Sequence, residues 1–168
     1  NDNIVINYGK DGTGDLYKLD NIREYSKLFS KEKAELVTAD GGFDFSYNFN
    51  RQEQLSYRII FCEIVTTLTV QKIGGSFVIK VFDMYTQITQ SLIYLLFVCY
   101  DKVYITKPNT SRSANSEKYV VCKGFKGINH NYLKEQFSDV DAILNEIKKV
   151  VKNSDYTLGS AVDELENL

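Results

Sequence analysis

Apolar residues follow two spacings along the chain, and the switches between them mark out its elements. Leu55, Ile59, Cys62, Val65 and Leu68 recur at i, i+4, i+7, i+10 and i+13, one face of a helix over about 51–72. Gly74 and Gly75 are expected to end that helix, because glycine accepts the left-handed backbone found at helix C-termini. SFVIKVF (76–82) then reads as a strand buried on both faces apart from Lys80. A second helix is expected at about 86–99, with Ile88, Leu92, Leu95 and Cys99 in register. KVYIT (102–106) is the next strand. Pro108, the only proline, opens the polar loop PNTSRSANS, and EKYVVCK (117–123) is again a strand.

Upstream, the glycine-rich stretch 8–21 reads as a loop. Asp20 or Asn21 is expected to cap a helix reaching about Lys33, with Ile22, Tyr25 and Phe29 on one face. ELVTA (35–39) is a short strand ending at Asp40-Gly41-Gly42, and 43–50 look irregular. Val140, Ile143, Leu144, Ile147, Val150 and Val151 predict a last helix over 139–152, with Asp139 near its start and Lys148, Lys149 and Lys152 near its end. Strands alternating with helices argue for an α/β domain with a mostly parallel sheet. Ligands of such sheets bind outside the carboxyl ends of the strands. That rule selects Asp40-Gly41-Gly42, Lys80 and the residues flanking the later strands.

At 168 residues the chain fits one domain, and 43% hydrophobic with 25% charged residues excludes disorder and coiled coil as descriptions of the whole. The longest apolar run, near 92–100, is too short to cross a membrane, so no membrane partner is expected. The net charge of −2 announces no nucleic-acid binder, but charge is unevenly placed. Lys102, Lys107, Arg112, Lys118, Lys123 and Lys126 face Glu117 alone, whereas 153–168 hold four acids and no base. The basic strip suits a phosphate-bearing partner and equally a solvated surface. Cys62, Cys99 and Cys122 form no CxxC pair and read as buried free thiols.

Lys80 is the most informative position. A lysine inside an apolar strand is costly unless it is paired or sits at the strand's open end. It is either an amine in an active-site cleft or a side chain reaching out of the sheet edge. Asp40 ends a strand ahead of two glycines that allow a ligand close to the backbone, or it is simply a turn residue. Glu117 opens a strand. Alone it is a surface carboxylate, but an amine between two acids at sheet ends is a candidate site. His130, the only histidine, lies between two asparagines and reads as a surface or capping residue; no metal-ligand pattern is present.

The segments GTGDL (12–16), TADGGF (38–43), GGSFVIKVFD (74–83) and KPNTSRSANSEKYVVCKG (107–124), in that order, resemble the FtsJ-like ribose 2′-O-methyltransferases. Within that family they are most similar to the eukaryotic and viral enzymes that methylate the first nucleotide of capped mRNA. The resemblance implies a partial Rossmann-like methyltransferase fold, a mostly parallel sheet with a final antiparallel strand, over 1–153, followed by an acidic tail at 154–168. It implies S-adenosyl-L-methionine as cofactor and the capped mRNA 5′ end as partner, in the cytoplasm, including a viral replication site, or in the nucleus. Asp40, Lys80 and Glu117 match three members of the family's Lys–Asp–Lys–Glu tetrad, with Lys80 as the base for a ribose 2′-OH. Asp15 and Leu16 match the pair on the cofactor's adenine part, and Asp40 lies against its methionine end. Asn50, Arg51, Gln52, Arg112 and Asn115 fall where RNA is touched. The family's first lysine and glycine-rich cofactor loop precede the GTGDL segment and are absent from the eleven residues before Gly12. The expectation is therefore the C-terminal half of a larger enzyme, weakly active or inactive alone, partnered by the missing half or another capping subunit. Two alternatives stay open: an rRNA or tRNA 2′-O-methyltransferase, and a non-catalytic RNA-binding or scaffold subunit of the same fold.

Overall fold

The computed structural model describes residues 4–42 and 52–128. The expected irregular segment at 43–50, the helix at 139–152, His130, the acidic tail, and Asn50 and Arg51 lie outside them. Seven elements follow one another: α1 (Leu19–Leu28), β1 (Ala34–Ala39), α2 (Gln52–Val70), β2 (Gln71–Val81), α3 (Gln87–Cys99), β3 (Tyr100–Thr106) and β4 (Lys118–Phe125). The sheet order is β1-β2-β4-β3. β1 pairs parallel with β2, and β4 runs antiparallel to both β2 and β3. Three strands thus point one way and the last runs against them. This is the expected α/β arrangement, with a single reversed strand inserted between β2 and β3.

One face of the sheet is the core. Phe77, Ile79 and Val81 of β2 and Val120 and Cys122 of β4 are buried in one cluster with Ile60, Ile64 and Leu68 of α2 and Leu92, Leu96 and Cys99 of α3. The alternate positions of β2, Ser76, Val78 and Lys80, are only half-buried. β2 is therefore not buried on both faces, as the apolar run suggests. Period-two alternation turns Lys80 away from the core, which is how an apolar strand accommodates it. All three cysteines are free and buried, and burial pushes their thiols up to about 12.

Gly74 and Gly75 do not end α2. The helix passes into β2 at Gln71, and both glycines lie inside the strand. A side chain on Gly75 would meet the carbonyl oxygens of Lys72 at 2.8 Å and Glu35 at 2.9 Å, so glycine serves a close backbone approach there. The β1–β2 register shifts at the same place, between Ala34 and Leu36. The buried Gln71 closes the irregularity, donating to the Ser76 carbonyl at 2.6 Å and accepting from the Tyr100 hydroxyl.

Neither Asp20 nor Asn21 caps α1, which starts after Lys18 without a side-chain cap and ends at Leu28, short of Lys33. Asn21 is instead buried under the preceding loop. Its amide donates to Asp11 Oδ1 and the Asp15 carbonyl, and its oxygen accepts from the Asp11 N–H. The α3 N-terminus is tied to α2: Glu53 Oε1 accepts from the Thr86 N–H at 2.7 Å and its hydroxyl at 2.8 Å. Among the described residues no helix is long and apolar enough to cross a membrane.

Candidate active site

Parallel pairing of β1 with β2 sets Ala39 beside Ile79, which places Asp40 next to Lys80 at the carboxyl ends of both strands. The Lys80 ammonium forms an ion pair with Asp40 Oδ1. The two partners differ in access: the Lys80 side chain is 17% exposed and that of Asp40 67%. A side chain on Gly42 would stand 3.9 Å from the Lys80 nitrogen, so the glycine leaves the amine approachable from that side.

On the other flank of β2, Lys80 is directly opposite Tyr119 of β4. The Tyr119 hydroxyl donates to Glu117 Oε1 at 2.6 Å. Glu117, by its bond and its charge, together with burial and the charge of Asp40, raises the Tyr119 phenol to about 12. Glu117 therefore joins the group through Tyr119 and makes no direct ion pair with Lys80.

Against the Asp40–Gly42 segment lies an acid that the helical pattern of α2 hides. Glu63 is 5% exposed and accepts a 2.5 Å hydrogen bond from the Gly41 N–H. Burial raises its carboxyl to about 7, against the opposing pull of the Gly41 bond and the Lys80 charge; Asp40 adds to the rise. A side chain on Gly41 would collide with this carboxylate.

The other expected residues sit around this group. Gln52, at the start of α2, accepts from the Ser116 hydroxyl at 3.0 Å, joining the helix to the 107–117 loop. Lys107 holds that loop from within, donating to Ser111 Oγ, to Asn115 O and Oδ1, and to the Glu117 carbonyl. Asn115 and Arg112 are exposed on it. Among the described residues, no hydrogen bond or ion pair joins Asp15 or Leu16 to Lys80 or Asp40. Asp15 Oδ1 accepts from the Tyr17 N–H at 2.9 Å, and Leu16 packs against the core. Their loop meets α2 through Tyr17, whose ring lies 4.9 Å from the Arg58 guanidinium carbon. Tyr119 and Glu63 were not singled out from the sequence. Tyr119 is legible once EKYVVCK is paired with SFVIKVF, and Glu63 is an acid inside an apolar helical run.

An α/β sheet carrying an amine–carboxylate pair at the carboxyl ends of adjacent parallel strands is a ligand-binding edge in the sense of the open α/β folds. The chain belongs to the FtsJ-like methyltransferase family, which matches residues 1–125. Among its relatives, cap-specific mRNA (nucleoside-2'-O-)-methyltransferase 1 of Trypanosoma cruzi (strain CL Brener) is 45% identical over 121 residues, 71% of this chain and 33% of that protein. The Caenorhabditis briggsae protein named inactive cap-specific mRNA (nucleoside-2'-O-)-methyltransferase 1B is 39% identical over 151 residues, 88% of this chain and 18% of its own length. The chain thus spans a third or less of these two relatives. The crystal structure of a ribosomal RNA methyltransferase from Plasmodium falciparum shares the fold, with a TM-score of 0.51 at 22% identity over 74% of this chain and 64% of that one. One of these relatives is named inactive, so identity of this order does not assign turnover. The side chains have to.

Proposed function

We propose that this chain carries the base and one acid of an S-adenosylmethionine-dependent RNA ribose 2′-O-methyltransferase, acting on the first nucleotide of capped mRNA. The observation that carries the reading is the Lys80–Asp40 pair, a mostly buried amine at a strand's carboxyl end with an exposed carboxylate beside it. A ribose hydroxyl is a poor acid, and a positioned amine is a suitable acceptor for its proton. Lys80 takes that role in its neutral form. Its partner Asp40 has an outer side that a cation can engage. Because Asp40 is two-thirds exposed, that side is open to one. Tyr119 holds Glu117 by a hydrogen bond, leaving Asp40 as the direct counter-ion of the amine.

The residues present fit the cofactor. Asp40 offers a carboxylate to a cationic amino-acid end, Gly42 leaves room beside Lys80, and Asp15 with Leu16 offers an acceptor next to an apolar surface. When bound, S-adenosylmethionine supplies an electrophilic methyl group. On the RNA side, Gln52, Arg112 and Asn115 lie on or beside the loop that Lys107 braces, with Asn50 and Arg51 adjoining Gln52 in sequence. Phosphate contacts from this basic segment position a strand without reading it.

The test is methyl transfer by the complete protein to capped and uncapped RNA of one sequence. Capped RNA is the expected acceptor. Lys80→Ala is expected to lower turnover by about 10²–10⁴-fold, the usual contribution of a positioned base, while RNA affinity changes little. Equal methylation of both RNAs would reject the cap assignment, and retained turnover in Lys80→Ala would reject the base.

A further inference from the structure

We infer that Glu63 is a positioning residue for this site: its buried carboxyl, held on the Gly41 amide, fixes the Asp40–Gly41 segment against Lys80, and charging it slows proton abstraction. The inference rests on Lys80 being the base, as proposed above. Three observations carry it. Glu63 projects from α2, yet its oxygen is bonded to the backbone of the residue that follows Asp40. A side chain at position 41 would run into this carboxylate and into Ile59, so either must shift to admit one. The acid is buried, and Lys80 and Asp40 are the charged groups that act on it.

Among the described residues, the titratable groups facing Glu63 are Asp40 from the end of β1, Lys80 from β2, Tyr17 from the loop before α1, and Cys62 on its own helix. Tyr17 and Cys62 are neutral around pH 7, since burial raises both. With those two neutral, Asp40 and Lys80 are the charged groups that face Glu63. When Glu63 is neutral, its carbonyl oxygen accepts the Gly41 N–H and adds no charge. When it ionises, a second carboxylate faces Lys80 and repels Asp40. An additional negative charge beside an amine holds the proton on it. The midpoint of this change, about 7, lies in the range where the enzyme would work.

Glutamine separates the two functions, because it keeps the acceptor and never ionises. In the complete protein, the Glu63→Gln to wild-type kcat ratio is expected to be close to one at pH 6 and about 3–10-fold higher by pH 8.5, with KM for RNA unchanged. Glu63→Leu removes the acceptor and is expected to lose activity at every pH. With selective glycine labelling, the Gly41 amide proton should titrate near pH 7 in the wild type and be pH-independent in Glu63→Gln. A kcat ratio that is flat with pH overturns the inference while leaving Lys80 as base. If Lys80→Ala retains activity, the functional reading itself fails. A wild-type Gly41 resonance that does not titrate between pH 5 and 9 overturns the role of Glu63 whatever the activity.

Discussion

Substituting Gly41 by alanine tests the geometry beside Asp40 without touching a charge. Gly41 is not among the glycines with positive φ, so alanine can adopt its backbone conformation and any cost comes from packing. The new methyl group would fall on the Glu63 carboxylate and 2.9 Å from Ile59 Cγ1. Ile59 and Glu63 both stand on α2, which packs against the sheet. Relief therefore requires either moving the helix or breaking the bond between Glu63 and the Gly41 N–H. Overpacking costs about 1–3 kcal/mol, and losing a hydrogen bond at a buried acceptor about 1–3 kcal/mol. By either route the expected loss is about 1–3 kcal/mol, read in urea as a midpoint lower by about 0.5–1.5 M at an ordinary slope of about 2 kcal/mol/M. Gly42→Ala is the control. Among the described residues its methyl would meet only the flexible end of Lys80, at 3.9 Å, and stability should stay within about 0.5 kcal/mol. Glu63→Ala should make room for the methyl, so the double variant should cost at least about 1 kcal/mol less than the two single losses combined. A Gly41→Ala protein with the wild-type midpoint, or strictly additive losses, would refute the argument.

Two further outcomes are expected. Glu53→Ala removes the acceptor of two hydrogen bonds at the α3 N-terminus and should cost about 1–3 kcal/mol in thermal or urea unfolding. Burial raises the Glu53 carboxyl, but bonds from Thr86 and Thr89 outweigh it and hold it below the usual range. Its contribution is therefore present above the unfolded value near 4.5 and lost as pH falls through the lower folded value, so the wild type and Glu53→Ala should converge in acid. On the RNA side, Arg112→Ala should reduce the salt dependence of binding by about one phosphate contact, and an unchanged slope would remove Arg112 from the interface.

Which face of β2 is buried could not be told from an apolar run that includes Val78, but β1, β3, β4 and the C-terminal end of β2 were legible to within a residue or two. The end of α2 was not. Gly74 and Gly75 look like a helix stop, but the carbonyls of Lys72 and Glu35 that require small residues there become neighbours only after β1 and β2 pair. Asn21 misled in a similar way: a residue suited to capping is used to organise the Asp11 loop, a choice fixed by tertiary burial. At the site, Asp40 and Lys80 could be chosen from strand ends alone, since parallel pairing puts such ends together. Tyr119 needed the antiparallel register, and Glu63 needed the Gly41 amide that it meets. An acid in an apolar helical stripe carries no sign of which backbone amide it will meet.

β4 separates β2 from β3, so those two strands cannot pair with each other. During synthesis, the amine and its carboxylate partner at position 40 emerge well before residues 118–125, which close the sheet beside them. A nascent chain halted before that point has two strand edges with nothing between them and lacks the phenol that binds Glu117. Non-local pairing of this kind is slow compared with forming α2 or α3. The last segment of the described chain thus completes the surroundings of the Lys80–Asp40 pair, and it does so only when the sheet closes.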